Sequence, residues 1–442
     1  MESIDTRKYE ANALRKAGNF REALALYQDL WNSGIQDEYI AAGILQCLRK
    51  LHSIADALKF CDNAMSRYSE SEWFRQESSW TYSDYIKEMA EAEVAVSTLH
   101  AIGEKALVFR PVPNAFNQIA FRIMNAAKNA KDWKTLLIWV ERVDPSTLSS
   151  VGMKLPDGKE GWSYLARYSN YRIIALIGNK RADEAIPLCQ KALGDFPHQY
   201  KQFAYNLARA YSTIGAYEKA RDAFQELCKK IRPDFYILFE FGKVMRHLAR
   251  NDEALGLMIM AAKSNQKPDY MVGYFVELGD LFKETGRETA ARDHYMLATA
   301  IRIRNSWTIP ADLQQRLESM HVGSIQESVE ELLYRCSIHW TDYEGKATPI
   351  LQQKAQEEPI EKGIEGTIFL GPENREYFFI NPPGREGYIG FKQELSQRIA
   401  DRSLVMFDVV PSFNKKKNEW TTKAVNVTPL SNADRTKNSK GL

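Results

Sequence analysis

The 442-residue sequence contains no apolar run approaching the ~18 residues that a membrane-spanning helix needs. Its longest apolar stretch, around Leu257 to Ala262, is far too short, so no helical membrane span is expected. The opening residues, Met-Glu-Ser-Ile-Asp-Thr, have no apolar segment and place Glu rather than Gly after Met, so neither a secretory signal nor myristoylation is expected. Cysteine is scarce. Five residues, Cys47, Cys61, Cys189, Cys228 and Cys336, are widely scattered on apolar helical faces, which argues against a disulfide framework. Reduced core thiols and a cytoplasmic location are the expectation. An excess of one charge sign is also lacking, with 59 Lys+Arg against 57 Asp+Glu. The balance is uneven along the chain, because residues 362–442 hold 13 basic and 9 acidic side chains, which leaves 46 and 48 for residues 1–361.

Signatures of catalysis are missing as well. There is no Cys-x-x-Cys, His-Glu-x-x-His or Gly-x-Ser-x-Gly. The seven histidines are dispersed, and the one His near a Cys (His339, beside Cys336) supplies too few ligands for a metal. The segment Gly152 to Lys159 superficially looks like a phosphate loop. Its spacing is one residue too long, and Glu160 stands where a hydroxyl would hold magnesium. No catalytic residue, metal or cofactor is therefore expected, and the chain reads as non-enzymatic.

What is present is periodicity. From Phe203 to Asp234 two amphipathic stretches flank Gly215, with small Ala208 and Ala220 where two helices would cross. Leu207, Tyr211, Tyr217, Phe224 and Leu227 supply bulk around them. Small side chains allow antiparallel helices to approach closely, and large ones fill the groove against the next pair. Equivalent positions recur on both sides at a period of about 34 residues, such as Leu238, Gly242, Ala254 and Ala261, or Phe275, Gly279, Ala291 and Ala298. At the N-terminus Ala11, Leu14, Gly18, Phe20, Ala23 and Tyr27 fit the same template. These residues resemble the tetratricopeptide repeat. The resemblance implies an α-helical solenoid over residues 1–320, irregular at about 66–165, followed by a capping helix over 321–340. A Ser324-to-Glu327 capping box is expected to open that helix. Residues 341–362 lose periodicity and read as a linker.

From Gly366 the pattern switches to alternation: Gly-Thr-Ile-Phe-Leu, Glu-Tyr-Phe-Phe-Ile, Gly-Tyr-Ile-Gly-Phe, Ser403 to Val410, and Thr421 to Val427. Five short strands predict a small closed β-barrel over 363–430, with a polar tail over 431–442. Here the sequence resembles a cold-shock domain of the oligonucleotide-binding class. Arg375 to Ile380 is similar to that family's Lys-Gly-Phe-Gly-Phe-Ile motif, and Tyr388 to Phe391 to its Phe-Val-His-Phe motif. The departures are Leu370-Gly371 in place of Trp-Phe, Glu376 and Phe378 in place of two glycines, and Gly390 in place of His.

The resemblance implies that Tyr377, Phe379, Tyr388 and Phe391 form a stacking platform for single-stranded RNA or DNA, with Arg375, Lys392 and Lys415, Lys416 and Lys417 following the phosphates. The alternative is a barrel that docks on protein and binds no nucleic acid. In tetratricopeptide hairpins the first helix lines a concave groove. Its offsets place Gln202, Tyr205, Arg209, Phe239, Lys243, Arg246 and His247 there, with Arg167 and Asn170 from the preceding hairpin. That basic and aromatic set suits an acidic or C-terminal peptide of a protein partner. A non-enzymatic adaptor joining a protein partner to nucleic acid is the expected function.

Overall fold

The computed structural model describes residues 3–430, apart from 155–157, 159, 265–266, 344, 348–350, 352–359, 373–374, 393–394, 396–398 and 415–418. Two compact units divide near residue 348. The first is a helical-repeat array of tetratricopeptide-like antiparallel pairs. Its opening three pairs are α1 (Ile4–Lys16) with α2 (Phe20–Asn32), α3 (Glu38–Lys50) with α4 (Ile54–Tyr68), and α5 (Glu72–Glu91) with α6 (Val96–Leu107). Then come α7 (Pro113–Asn129) with α8 (Trp133–Arg142), α9 (Tyr164–Gly178) with α10 (Ala182–Asp195), and α11 (Tyr200–Thr213) with α12 (Tyr217–Lys230). The series continues with α13 (Phe235–His247) and α14 (Asn251–Ser264), then α15 (Val272–Glu284) and α16 (Glu288–Arg304), and ends on α17 (Ala311–Ser319) and α18 (Val329–Trp340).

The small residues sit where close approach needs them. Ala11, Ala23, Ala208, Ala220, Ala254 and Ala291 are fully buried at the helix crossings. Gly279 admits the ring of Tyr295, to which an added Cβ would come within 2.6 Å. The cysteines belong to this packing: Cys47, Cys61 and Cys189 are buried, and burial pushes each thiol up to about 12, well out of the reactive range. Among the described residues no helix is long and apolar enough to cross a membrane.

Helix α18 opens one turn later than the sequence suggested. The capping box is Ser328 with Glu331, not Ser324 with Glu327: Ser328 Oγ accepts from the Glu331 N–H while the Glu331 carboxylate accepts from the Ser328 N–H at 2.8 Å. Both tetrads satisfy the Ser-x-x-Glu pattern. Starting at Val329 buries Val329, Leu332, Cys336 and Trp340 on one face, whereas Ile325 stays outside the helix. That face lies on α16, latched by Asp293, which is buried and bonded to Arg335 and to His339 Nε2 at 2.9 Å.

The second unit is a closed five-stranded barrel: β1 (Glu361–Phe369), β2 (Tyr377–Asn381), β3 (Tyr388–Phe391), β4 (Leu404–Asn414) and β5 (Glu419–Pro429), in the order β1-β2-β3-β5-β4. All pairings are antiparallel except that of β3 with β5. Its core is Ile368, Phe378, Ile380, Val405, Phe407, Val409, Ala424 and Val427. Phe378 lies directly opposite Gly390, and a Cβ on Gly390 would come within 2.2 Å of the Phe378 ring. The two departures from the cold-shock pattern therefore compensate each other: an extra ring fills the barrel where a side chain is missing across from it.

Candidate functional site

On the barrel, alternation sends Phe378 and Ile380 inward and Tyr377 and Phe379 outward. The register then fixes their neighbours. Tyr377 is opposite Phe391, while Phe379 lies between Phe369 and Ile389. Tyr377, Phe391 and Phe369 are exposed and Phe379 is half-buried, with the Tyr377 and Phe379 rings 5.6 Å apart in an edge-to-face arrangement. Cations flank this face. The Arg375 guanidinium lies 5.0 Å from the Tyr377 ring centroid, and Lys423 Nζ lies 5.9 Å from that of Phe391.

Tyr388 is a correction. It pairs with Ile380 and turns its ring to buried Phe407 at 5.5 Å, joining the core rather than the platform. The parity of the strand explains this, because positions 388 and 391 fall on opposite faces and only one can accompany Tyr377. Lys392 is also engaged locally, its Nζ donating to the Pro372 carbonyl at 2.8 Å. Lys415, Lys416 and Lys417 lie outside the described residues. Phe369 and Lys423 join the face without having been expected there. The signal for Phe369 was available, since Ile368 facing inward forces its neighbour outward.

The groove expected around residues 202–246 is largely occupied by its own side chains. Phe239 is 1% exposed, with the Tyr274 ring 4.1 Å away, so it packs the array rather than lining a groove. Tyr205 is half-buried against Tyr236 and Phe224, and burial raises its phenol. Gln202 donates to Asn206, which donates to Asn170 at 2.8 Å. The cations are engaged too. Arg246 holds Glu284 with two N–H donors, Lys243 lies 3.4 Å from Glu240 and 3.7 Å from Glu277, Arg209 stacks on Tyr205, and Arg167 covers Tyr164 and Phe121. His247 stacks on Tyr217 at 4.3 Å. Burial raises the Glu277 carboxyl, opposed by Lys243.

A cavity of about 540 Å³ opens instead between α1, α3 and α5, where sequence reasoning placed nothing. Its floor is Ala42 and Gly43 with the Tyr27 ring beneath, and Tyr9, Tyr39 and Trp73 stand around it. Among the described residues no cluster of His, Cys, Asp and Glu could hold a metal ion.

Comparison with known proteins gives the following. The family model described as a domain of unknown function (DUF7017) matches residues 201–336, the stretch from α11 to α18. No curated protein sequence matches the chain. Among solved structures, MamA of AMB-1 is similar at 18% identity, over 40% of this chain and 94% of that one, with a TM-score of 0.30. BtubC (BKLC) from P. vanneervenii is similar at 13% identity, over 51% of this chain and 94% of its own, with a TM-score of 0.33. A tetratricopeptide repeat protein from Parabacteroides merdae is similar at 11% identity, over 71% of this chain and 97% of its own, with a TM-score of 0.31.

Proposed function

We propose that this chain is a non-enzymatic adaptor whose helical repeats hold a protein partner and whose barrel holds single-stranded RNA or DNA. The observation that carries the nucleic-acid half is the outer face of the barrel, where Phe369, Tyr377, Phe379 and Phe391 adjoin one another between Arg375 and Lys423. Exposed rings side by side offer stacking surfaces to unpaired bases, and flanking cations offer charge to the phosphates. The cold-shock resemblance of the sequence supports this half of the reading, and the barrel that carries it is closed and five-stranded.

A second reading rests on a specific feature of the same surface. Ile389, Leu404 and Met406 are also exposed on the outside of the barrel. An aliphatic margin beside aromatics suits a protein surface better than bases, which makes the barrel a second protein-docking module.

Fluorescence anisotropy separates the two. Short labelled oligo(U) and oligo(dT) are titrated with the full chain across a salt series. Saturable binding that weakens with salt and fails in a Tyr377→Ala/Phe379→Ala variant supports the nucleic-acid reading. Absence of binding at low salt overturns it and leaves the protein-docking one.

A further inference from the structure

The cavity between α1, α3 and α5 has a chemistry that specifies an occupant. Helices α1, α3 and α5 are the first members of their pairs, and their shared surface holds the cavity of about 540 Å³. Two features make it. Ala42, on the central helix, leaves the floor bare, and Gly43 beside it lets the Tyr27 ring lie against that helix, since an added Cβ would come within 2.6 Å of the ring. Around this floor Tyr9 is 77%, Tyr39 61% and Trp73 57% exposed, with the Tyr39 and Trp73 rings 6.1 Å apart. Three large aromatics standing in water about one dent are costly to leave uncovered and are the side chains that anchor protein interfaces.

The charges in and around the cavity are asymmetric. Each carboxylate lining it is already matched: Asp37 by Lys8 at 2.6 Å, and Glu77 by Arg49 at 3.1 Å. Arg15 is partly buried, yet its hydrogen-bond partners are uncharged: Asn12 Oδ1 at 2.7 Å, Gln46 Oε1 and the Tyr27 hydroxyl. Lys16, the next residue of the helix, is exposed beside the same cavity. A guanidinium bonded to uncharged oxygens keeps its full charge and gains strongly by exchanging one of them for a carboxylate. Asn12, Gln46 and Gln76 bring donors and acceptors together, as an extended peptide backbone requires.

We infer that this cavity binds a linear segment of a partner protein in which an aromatic or large aliphatic side chain lies close to Asp or Glu. The apolar side chain fills the space over Ala42 among Tyr9, Tyr39 and Trp73, and the acidic side chain takes Arg15, with Lys16 beside it. The inference deepens the protein-partner half of the adaptor reading by fixing where the partner docks and what it carries. It is independent of the barrel.

The test starts from a random peptide library displayed through its C-terminus, so that every selected carboxylate is a side chain, and panned on the full chain. The enriched sequence is then synthesised with a fluorescent label and an amidated C-terminus, and titrated by anisotropy. The expected consensus pairs an aromatic or large aliphatic residue with Asp or Glu. Trp73→Ala and Arg15→Gln are each expected to weaken binding by at least about tenfold, and Arg15→Gln also flattens the salt dependence. Ala42→Phe, which fills the floor, abolishes binding. Trp73 is exposed, so Trp73→Ala keeps its fold and circular dichroism melt even where Ala42→Phe does not. A peptide that binds wild type and Trp73→Ala equally well overturns the cavity as the site while leaving the scaffold reading standing. A consensus without carboxylates overturns the role of Arg15. A library from which nothing is enriched overturns both the cavity and the peptide-binding half of the adaptor.

Discussion

The cavity at α1–α3–α5 and the filled surface at α11–α13 are built from the same helix positions. Counting from the small crossing residues Ala11 and Ala208, Lys8 corresponds to Tyr205, and one repeat later Ala42 corresponds to Phe239. In one place the pair is a lysine turned to Asp37 and an alanine; in the other it is two rings packed against Tyr236 and Tyr274. The backbone template is shared, so the volume of one side chain per repeat decides whether the array presents a dent or a sealed surface. The direct way to break this comparison is to empty the filled position. Phe239→Ala is expected to cost about 3–5 kcal/mol, because a fully buried ring leaves a cavity its neighbours cannot close. Urea unfolding of the full chain followed by circular dichroism checks it. A cost below about 1 kcal/mol would mean that the site collapses and that the two surfaces are not alternatives set by volume.

The comparison sharpens at the other end of the array, where the surface of α16 is covered by α18. There the cover is held by titratable groups. His294 is fully buried, its Nδ1 2.7 Å from the Ala290 carbonyl and its Nε2 accepting from Trp340 Nε1 at 2.9 Å, an arrangement that requires the neutral ring. Burial pushes it down to about 4. Because an unfolded histidine titrates near 6.5, the unfolded chain binds more protons between these values. Stability is then full above pH ~6.5 and falls as pH drops toward 4, by on the order of 3 kcal/mol. Asp293 adds to this at lower pH. Burial alone would raise its carboxyl, but Arg335 and His339 outweigh that and hold it low, so its share is present above the ordinary carboxylate range and is lost below it. Thermal melts from pH 7 to 4 are expected to show the fall, and His294→Gln to flatten it between 6.5 and 4. By contrast, no histidine lines the cavity of α1–α3–α5.

The repeat was legible because its signal is periodic: Ala11, Ala23, Ala208 and Ala220 mark the crossings whatever surrounds them. The barrel was legible from alternation, which also placed Tyr377 and Phe379 outside and Phe378 and Ile380 inside. What escaped was anything that depends on register or on the neighbouring pair. Tyr388 was misplaced because a motif aligned by residue type says nothing of which parity faces the core. Phe239 was taken as lining because its offset along the helix matched, although Tyr274 from the next pair covers it. The cavity is defined by an absence of volume over Ala42, and small residues in a repeat otherwise read as crossing points. Arg15 could not stand out either, since only the structure reveals that its partners are uncharged while both carboxylates lining the cavity are matched.

Barrel and cavity differ in what their aromatics face, and this difference can be tested separately. On the barrel the rings adjoin one another across a sheet, with cations over Tyr377 and Phe391, whereas at the cavity they stand around a hole. Tyr377→Ala with Phe379→Ala is expected to weaken oligonucleotide binding by about 1–3 kcal/mol for each stacked base, without affecting the peptide selected on the cavity. Phe369→Ala follows the same direction if Phe369, opposite Phe379, extends the platform. Gly390→Ala acts differently. It forces the Phe378 ring and is expected to cost about 1–3 kcal/mol of barrel stability, so its melt changes before its affinity does.

The smallest effect belongs to the middle surface. Arg246 is bonded through two N–H groups to Glu284, which raises the guanidinium further, yet Glu284 is half-exposed and the pair is screened by solvent. Arg246→Gln is therefore expected to cost no more than about 1 kcal/mol, a shift barely visible in the melt. Its value lies in the binding assay. If the filled surface took an acidic peptide, removing its cation would weaken that peptide as Arg15→Gln does at the cavity. Unchanged affinity in Arg246→Gln beside a loss in Arg15→Gln would locate recognition where the carboxylates are already matched and a cation is left over, and a loss in both would return the partner to the middle of the array.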